Sequence, residues 1–166
     1  FSKKFSKPFI EPEIALRIKD DIDISKAPFS IKDINYLFDG FVCSLEIVDF
    51  RFNKTLKEIG ALNLIATNGA SEFWIRNSEV FKMNRIDFED HFISISLNDQ
   101  IVGEGNTKNV MKNPLNSGLW LINKIAKKFG ANKTFDFKEK NFITRLGPLS
   151  AILVKTSYRK RLACEN

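Results

Sequence analysis

Ile10-Glu11-Pro12-Glu13-Ile14 sets two carboxylates two residues apart inside an apolar stretch. In an extended segment residues i and i+2 project to the same face, so Glu11 and Glu13 lie side by side. Two like charges that close are unfavourable unless a cation or a proton relieves them. Pro12, which cannot donate to a strand ladder, also allows a plainer reading: a solvent-facing edge strand with solvated charges. Another carboxylate bears on the choice. Leu45-Glu46-Ile47-Val48-Asp49 places Glu46 among strong β-formers, where burial without a partner is costly. If Glu46 faces Glu11 and Glu13, three oxygen ligands converge with coordination positions to spare, a donor set for Mg²⁺ or Mn²⁺ and not for zinc.

Other reactive residue types offer less. His91 is the only histidine, and with no Ser or Cys nucleophile motif a surface or pairing role outweighs catalysis. Cys43 and Cys164 are far apart in sequence and lack any Cys-x-x-Cys or Cys/His neighbourhood, so both read as reduced thiols. Gly103-Glu104-Gly105 lacks the third glycine and the strand-to-helix context of a dinucleotide loop. Trp74 and Trp120 are expected in the core or at an interface.

The elements that must position these groups are marked by periodicity. Leu115, Leu119, Ile122, Ala126 and Phe129 predict a helix over Pro114–Phe129, with Asn113 as N-cap, Pro114 in the first turn, Lys127 and Lys128 at the negative end and Gly130 as the stop. A shorter helix over 31–38 follows from Ser30 as cap, Asp33 at the third position and Ile31, Ile34 and Leu37 on one face, with Gly40 at its exit. The β-formers of 41–48 predict a strand. Over 57–66, Leu56, Ile59, Leu62 and Ile65 spaced by threes predict a helix. From Arg85 the period falls to two, and residues 92–97, then Asn98-Asp99, then Ile101-Val102-Gly103 read as a hairpin. A final apolar run at 151–154 reads as a strand. The pattern is that of a mixed α+β domain, antiparallel strands forming the body and one long helix covering a face.

The chain has 166 residues, 43% of them hydrophobic and 28% charged, within the range of a single globular domain spanning 1–166 and outside that of a disordered chain. No apolar run reaches membrane-spanning length, and the first residues, with Lys3, Lys4 and Lys7, do not form a secretory signal, so a cytoplasmic location is the default. The net charge of +6 comes without a nucleic-acid-binding motif, and the 16 Phe against 2 Trp and 2 Tyr fit an A/T-biased coding sequence that enriches Lys. The charge therefore reads as a solvated basic surface, and the ending Tyr158-Arg159-Lys160-Arg161 as a frayed terminus. Phe1 in place of Met, and an opening that looks like the middle of an element, suggest a fragment.

Taken in order, several pieces resemble the fumarylacetoacetate hydrolase superfamily, in its branch of 2-keto-4-pentenoate hydratases and 4-oxalocrotonate decarboxylases. They are Lys7-Pro8-Phe9-Ile10-Glu11-Pro12-Glu13-Ile14-Ala15-Leu16, Leu45-Glu46-Ile47-Val48-Asp49-Phe50-Arg51, Ile65-Ala66-Thr67-Asn68-Gly69-Ala70-Ser71, Gly103-Glu104-Gly105 and the stretch from Asn113-Pro114-Leu115 to Asn123, over roughly residues 5 to 130. The resemblance implies a mixed β-roll of the superfamily's C-terminal type with one long covering helix. It implies Glu11, Glu13 and Glu46 as ligands of Mg²⁺ or Mn²⁺, Asn68 and Ser71 as substrate contacts, and a catalytic lysine upstream of this chain. The implied function is a hydratase of 2-hydroxypenta-2,4-dienoate-type 2-oxo acids in aromatic catabolism. A 4-oxalocrotonate-type decarboxylase and a truncated, non-catalytic partner subunit are the alternatives. Homo-oligomerisation is expected, since losing the flanking regions would expose strand edges. This chain departs from the family pattern in having Ala66-Thr67-Asn68 for Ala-Asp-Asn and Lys112-Asn113-Pro114 for Gly-His-Pro, while its tail from Leu146 resembles the family's last strands only loosely.

Overall fold

Runs of β-branched and aromatic residues around the two carboxylate motifs set the architecture. The computed structural model describes residues 5–130 and, beyond them, the backbone of three two-residue strands. In chain order the strands are β1 (Pro8–Ile18), β2 (Ile22–Asp23), β3 (Phe38–Asp49), β4 (Ser71–Arg76), β5 (Phe92–Leu97), β6 (Gln100–Asn106), β7 (Thr134–Phe135), β8 (Phe142–Ile143) and β9 (Ile152–Leu153). The helices are α1 (Ile34–Leu37), α2 (Leu56–Ala66) and α3 (Pro114–Phe129). β1 and β3 pair antiparallel from Pro8↔Asp49 to Arg17↔Gly40, with an irregularity before Ile18↔Phe38. They form the centre of a five-stranded sheet in the order β4-β3-β1-β8, with β9 also pairing β1.

β1 is therefore not a solvent-facing edge strand. Its far edge meets β9 at Phe9 and Ile10 and β8 at Leu16 and Arg17, and Pro12 falls between these contacts, where its missing N–H removes none of their hydrogen bonds.

α3 forms as its periodicity predicts. The Asn113 side chain accepts from the Leu115 amide at 2.9 Å, Pro114 begins the first turn, and Gly130 ends the helix at φ 79°. Leu115, Leu119, Ile122 and Ala126 are buried and join Ile14, Leu16, Phe38 and Phe41 in one hydrophobic cluster. Gly118 permits the close approach: a Cβ there would come within 2.9 Å of Leu16 Cδ1 and 3.1 Å of Phe38 Cζ. Phe129, expected on the buried face, is 43% exposed in the last turn, with the Lys128 ammonium over its ring. Trp120 also stays out of the core at 54% exposure.

Two helical readings are adjusted by the backbone. Ser30 and Asp33 do form a capping box, but residues 31–33 wind as a tighter 3₁₀ turn before α1, so Ile31 is turned outward while Ile34 and Leu37 are buried. Within α2, Gly60 takes φ 72° and ψ 161°, which breaks the helical phase. Ile59 before the break is buried; Leu62 and Ile65 after it are largely exposed. β5 and β6 form the predicted hairpin, with Asn98 and Asp99 both at positive φ, the conformation of a tight two-residue turn. β4 was not anticipated, although Phe73-Trp74-Ile75 carries its signal.

The expectation of a reduced thiol fails at Cys43, which is disulfide-bonded. Separation along the chain, on which that expectation rested, sets no separation in space. Cys164 lies outside the described residues, as do the tail motif from Leu146, apart from the β9 backbone, and the basic ending. No described helix is long and apolar enough to cross a membrane.

Candidate metal centre

The register of the central strands decides where the carboxylates meet. Glu11 lies directly across from Glu46, and Glu13 lies across from Ser44, so all four side chains share one face of the sheet, opposite the face that packs on α3. Ligand oxygens of Glu11, Glu13 and Glu46 lie within 4.8 Å of one another. Glu13 and Glu46 are buried, at 5% and 6% exposure, and Glu11 is half-buried. The arrangement is three hard oxygen donors converging in a desolvated place, a donor set that fits a small divalent cation such as Mg²⁺ or Mn²⁺. Thiolate and imidazole donors, which zinc favours, are absent from this cluster.

Asp49 holds the register. Buried to 2% exposure, its carboxylate accepts from the Ser6 amide at 3.1 and 2.9 Å and the Lys7 amide at 2.6 Å, tying the entrance of β1 to the end of β3. The sequence marks Asp49 only as part of its motif; this fastening role appears when the strands are paired.

The turn ahead of β4 carries Asn68 and leads Ser71 onto the strand beside β3. Asn68, Gly69 and Ala70 all take left-handed conformations, at φ 53°, 68° and 61°, and Ala70 is buried there. For a non-glycine residue that conformation costs about 1–2 kcal/mol, so packing around Ala70 must hold it. Ser71 then pairs with Val48, which is two residues from Glu46 and on its face of the strand. Asn68 is exposed in the turn. β4 adds Trp74 directly across from Glu46 and Arg76 directly across from Ser44, on the carboxylate face. Trp74 is 38% exposed, so of the two places expected for it, core or interface, the core is excluded.

Both departures from the family pattern are occupied with backbone. The Thr67 hydroxyl donates to the carbonyls of Asn63 and Leu64, each at 3.1 Å, and closes the end of α2. Asn113 is buried as the cap of α3. Lys112 sits at φ 66°, a conformation glycine adopts at no steric cost, where the family pattern has Gly. The His91 backbone is tied to Thr107, its amide donating to Thr107 Oγ1 at 2.8 Å and its carbonyl accepting from the Thr107 amide at 2.9 Å, bonds in which the imidazole takes no part.

No family model matches the chain. It is 25% identical over 121 residues to the 2-keto-4-pentenoate hydratase of Burkholderia vietnamiensis (strain G4 / LMG 22486), covering 73% of this chain and 45% of that protein. Identity to 2-keto-4-pentenoate hydratase 1 of Dechloromonas aromatica (strain RCB) is also 25% over 121 residues, covering 73% and 44%. The chain thus spans less than half the length of these curated relatives. Among solved structures, the 4-oxalocrotonate decarboxylase from Pseudomonas putida G7 complexed with magnesium and adipate matches with a TM-score of 0.72 at 21% identity, over 92% of this chain and 54% of that one. The same enzyme complexed with calcium and acetate gives 0.71. At that identity the structural likeness is one of fold: mixed sheet and helix, with the long helix toward the C-terminal side. In sequence the chain is thus similar to 2-keto-4-pentenoate hydratases over part of their length, and in fold it is similar to a 4-oxalocrotonate decarboxylase.

Proposed function

We propose that the chain is part of a divalent-metal-dependent lyase acting on 2-oxo acids, a hydratase of 2-hydroxypenta-2,4-dienoate-type substrates from aromatic catabolism. The convergence of Glu11, Glu13 and Glu46 within 4.8 Å, two of them buried, carries this reading. In it, residues 1–166 form one partial catalytic domain of a cytoplasmic enzyme, the sheet belongs to a β-roll, and the subunit assembles with copies of itself. Glu11, Glu13 and Glu46 hold Mg²⁺ or Mn²⁺. A cation bound there would offer open positions to the carboxylate and 2-oxo oxygens of a substrate and stabilise the negative charge that develops on them. The carboxylate trio orients that cation from the floor of the sheet. Ser71, at the start of β4, and Asn68, in the turn before it, present polar groups toward the substrate.

One observation favours a second reading. Thr67 and Asn113 stand where the family pattern has a carboxylate and an imidazole, and both are engaged in capping. A subunit that keeps the cation site and has given up part of the pocket chemistry fits this, as a non-catalytic partner or a relative with decarboxylase-type chemistry.

Calorimetric titration of the chain with Mg²⁺ or Mn²⁺, with and without oxalate as a minimal 2-oxo acid analogue, tests the assignment. The proposal predicts cation binding that oxalate strengthens. A folded chain that binds neither cation overturns the metal site and moves the function to the non-catalytic partner.

A further inference from the structure

The β5–β6 hairpin is a sheet of its own. Its two strands pair with each other, and among the described residues no strand lies along the outer edge of either. Ile93 packs against the main hydrophobic cluster, while Phe92 is 59% exposed and Ser96 is exposed. The Thr107 amide donates to the His91 carbonyl, which continues the register of Phe92↔Asn106 by one more pair. Bonded and non-bonded pairs alternate along an antiparallel ladder, so Ile93 and Ile95 turn their backbone groups toward β6, and Phe92, Ser94 and Ser96 turn theirs to the outer edge. The two outer edges differ. β6 carries Glu104 and has an extra residue, Val102, between Ser96↔Ile101 and Ile95↔Gly103, and a charge and a bulge both blunt an edge against pairing. β5 runs Phe-Ile-Ser-Ile-Ser-Leu, with no charge, no proline and no extra residue.

From this we infer that the outer edge of β5 is a self-association surface, which pairs antiparallel with β5 of a second copy of this chain about a two-fold axis at Ser94. The inference rests on the self-assembly in the proposed function, and not on its metal site, and gives that assembly a surface. With the axis at Ser94, the outward backbone groups of Phe92, Ser94 and Ser96 meet those of Ser96, Ser94 and Phe92 in the copy, so each finds a partner. Ile93 then lies across from Ile95 on both sides of the axis, an apolar cross-strand pair made twice. The sequence of the strand argues for a second copy as its occupant. Isoleucines flank Ser94 symmetrically, which suits a contact that sets one surface against itself. Pairing identical strands also brings identical charges together, a penalty that β5 escapes by carrying none and that Glu104 would bring to β6. Joined in this way, two marginal two-stranded ribbons become one wider sheet.

The test is sedimentation of the 166-residue chain over a range of concentrations, with amide hydrogen exchange measured on the same samples. The parent is expected to dimerise, and the outward amides of Ser94 and Ser96 should exchange at least about tenfold more slowly in the dimer than at dilution. Ser94→Lys sets two ammonium groups against each other at the axis, while within each hairpin the new lysine faces Glu104 and leaves the fold of the hairpin supported. It should weaken dimerisation at least about tenfold. Val102→Lys, on the blunted edge, should leave the dimerisation constant within about twofold. A parent that stays monomeric overturns the inference and leaves the edge to another occupant. A dimer whose Ser94 and Ser96 amides exchange as in the monomer overturns it as well, and this readout needs no variant. So does a dimer that S94K leaves unchanged or that V102K weakens as much as S94K. Titration with Mg²⁺ is read separately, since none of the three glutamates lies on the hairpin. A monomer that binds the cation overturns this inference alone, and a dimer joined through β5 that binds none overturns the metal site alone.

Discussion

At the scale of single residues, the site depends on charge placed where water is scarce. Glu46 is the central member, directly across from Glu11 and buried among the β-formers of β3. Glu46→Gln keeps the shape and removes one charged ligand. It is expected to weaken Mg²⁺ binding at least about tenfold in a titration, and unchanged affinity would remove Glu46 from the site. Residues 66–71 show the limits of motif reading. Ser71 arrives on the face of Glu46 because three successive left-handed residues turn the chain into β4, a geometry that no spacing rule announces. Thr67 and Asn113 are both recognisable as departures from a pattern; the capping role of Asn113 is legible from its place ahead of Pro114, whereas that of Thr67 emerges only from its hydrogen bonds.

Among the elements, α3 is the most legible, since one strong period, one N-cap and one glycine stop all agree. Its packing gives a paired prediction. Leu119→Ala should cost about 2–5 kcal/mol by leaving a cavity in the buried cluster. Gly118→Ala should cost about 1–3 kcal/mol by forcing a methyl against Leu16 and Phe38, despite the better helix propensity of alanine. Denaturant unfolding of both variants checks the buried face: a melt like the parent's for L119A would mean that this face is misassigned. α2 carries a second testable feature. The Thr55 amide and hydroxyl both donate to Glu58 at 2.7 Å and hold its carboxyl below the ordinary glutamate range. A lowered folded-state value means that the charged cap stabilises at pH above the unfolded value, and that this contribution is lost as pH falls through the folded one. The stability difference between the parent and Glu58→Gln should therefore favour the parent at pH about 7 and shrink at pH about 2.5, as followed by thermal melts. A difference independent of pH would exclude the charged cap.

For the whole molecule, cation binding and folding are coupled, because the three ligands come together only when β1 and β3 are in register. A cation that binds the native chain and not the unfolded one stabilises it by about 2.7 kcal/mol at a hundred times its dissociation constant. The melting temperature should therefore rise with Mg²⁺ and return to its starting value on chelation. A melt indifferent to both Mg²⁺ and chelator would separate the trio from any role in cation binding.

The amino-acid sequence by itself determined what local forces control: the cap, face and end of α3, the Asn98-Asp99 hairpin, the Ser30/Asp33 box, and the side-by-side placement of Glu11 and Glu13. These depend on neighbours within a few residues, where periodicity and capping chemistry act. Tertiary structure decided the rest. It set Glu46 across from Glu11, made β1 an interior strand, left Leu62 and Ile65 outside once Gly60 broke the helical phase, and joined Cys43 in a disulfide. It also set Trp74 across from Glu46 and Arg76 across from Ser44. Each of these outcomes depends on which strand pairs with which and in what register, and a change of one residue in register would turn every side chain of a strand to the opposite face.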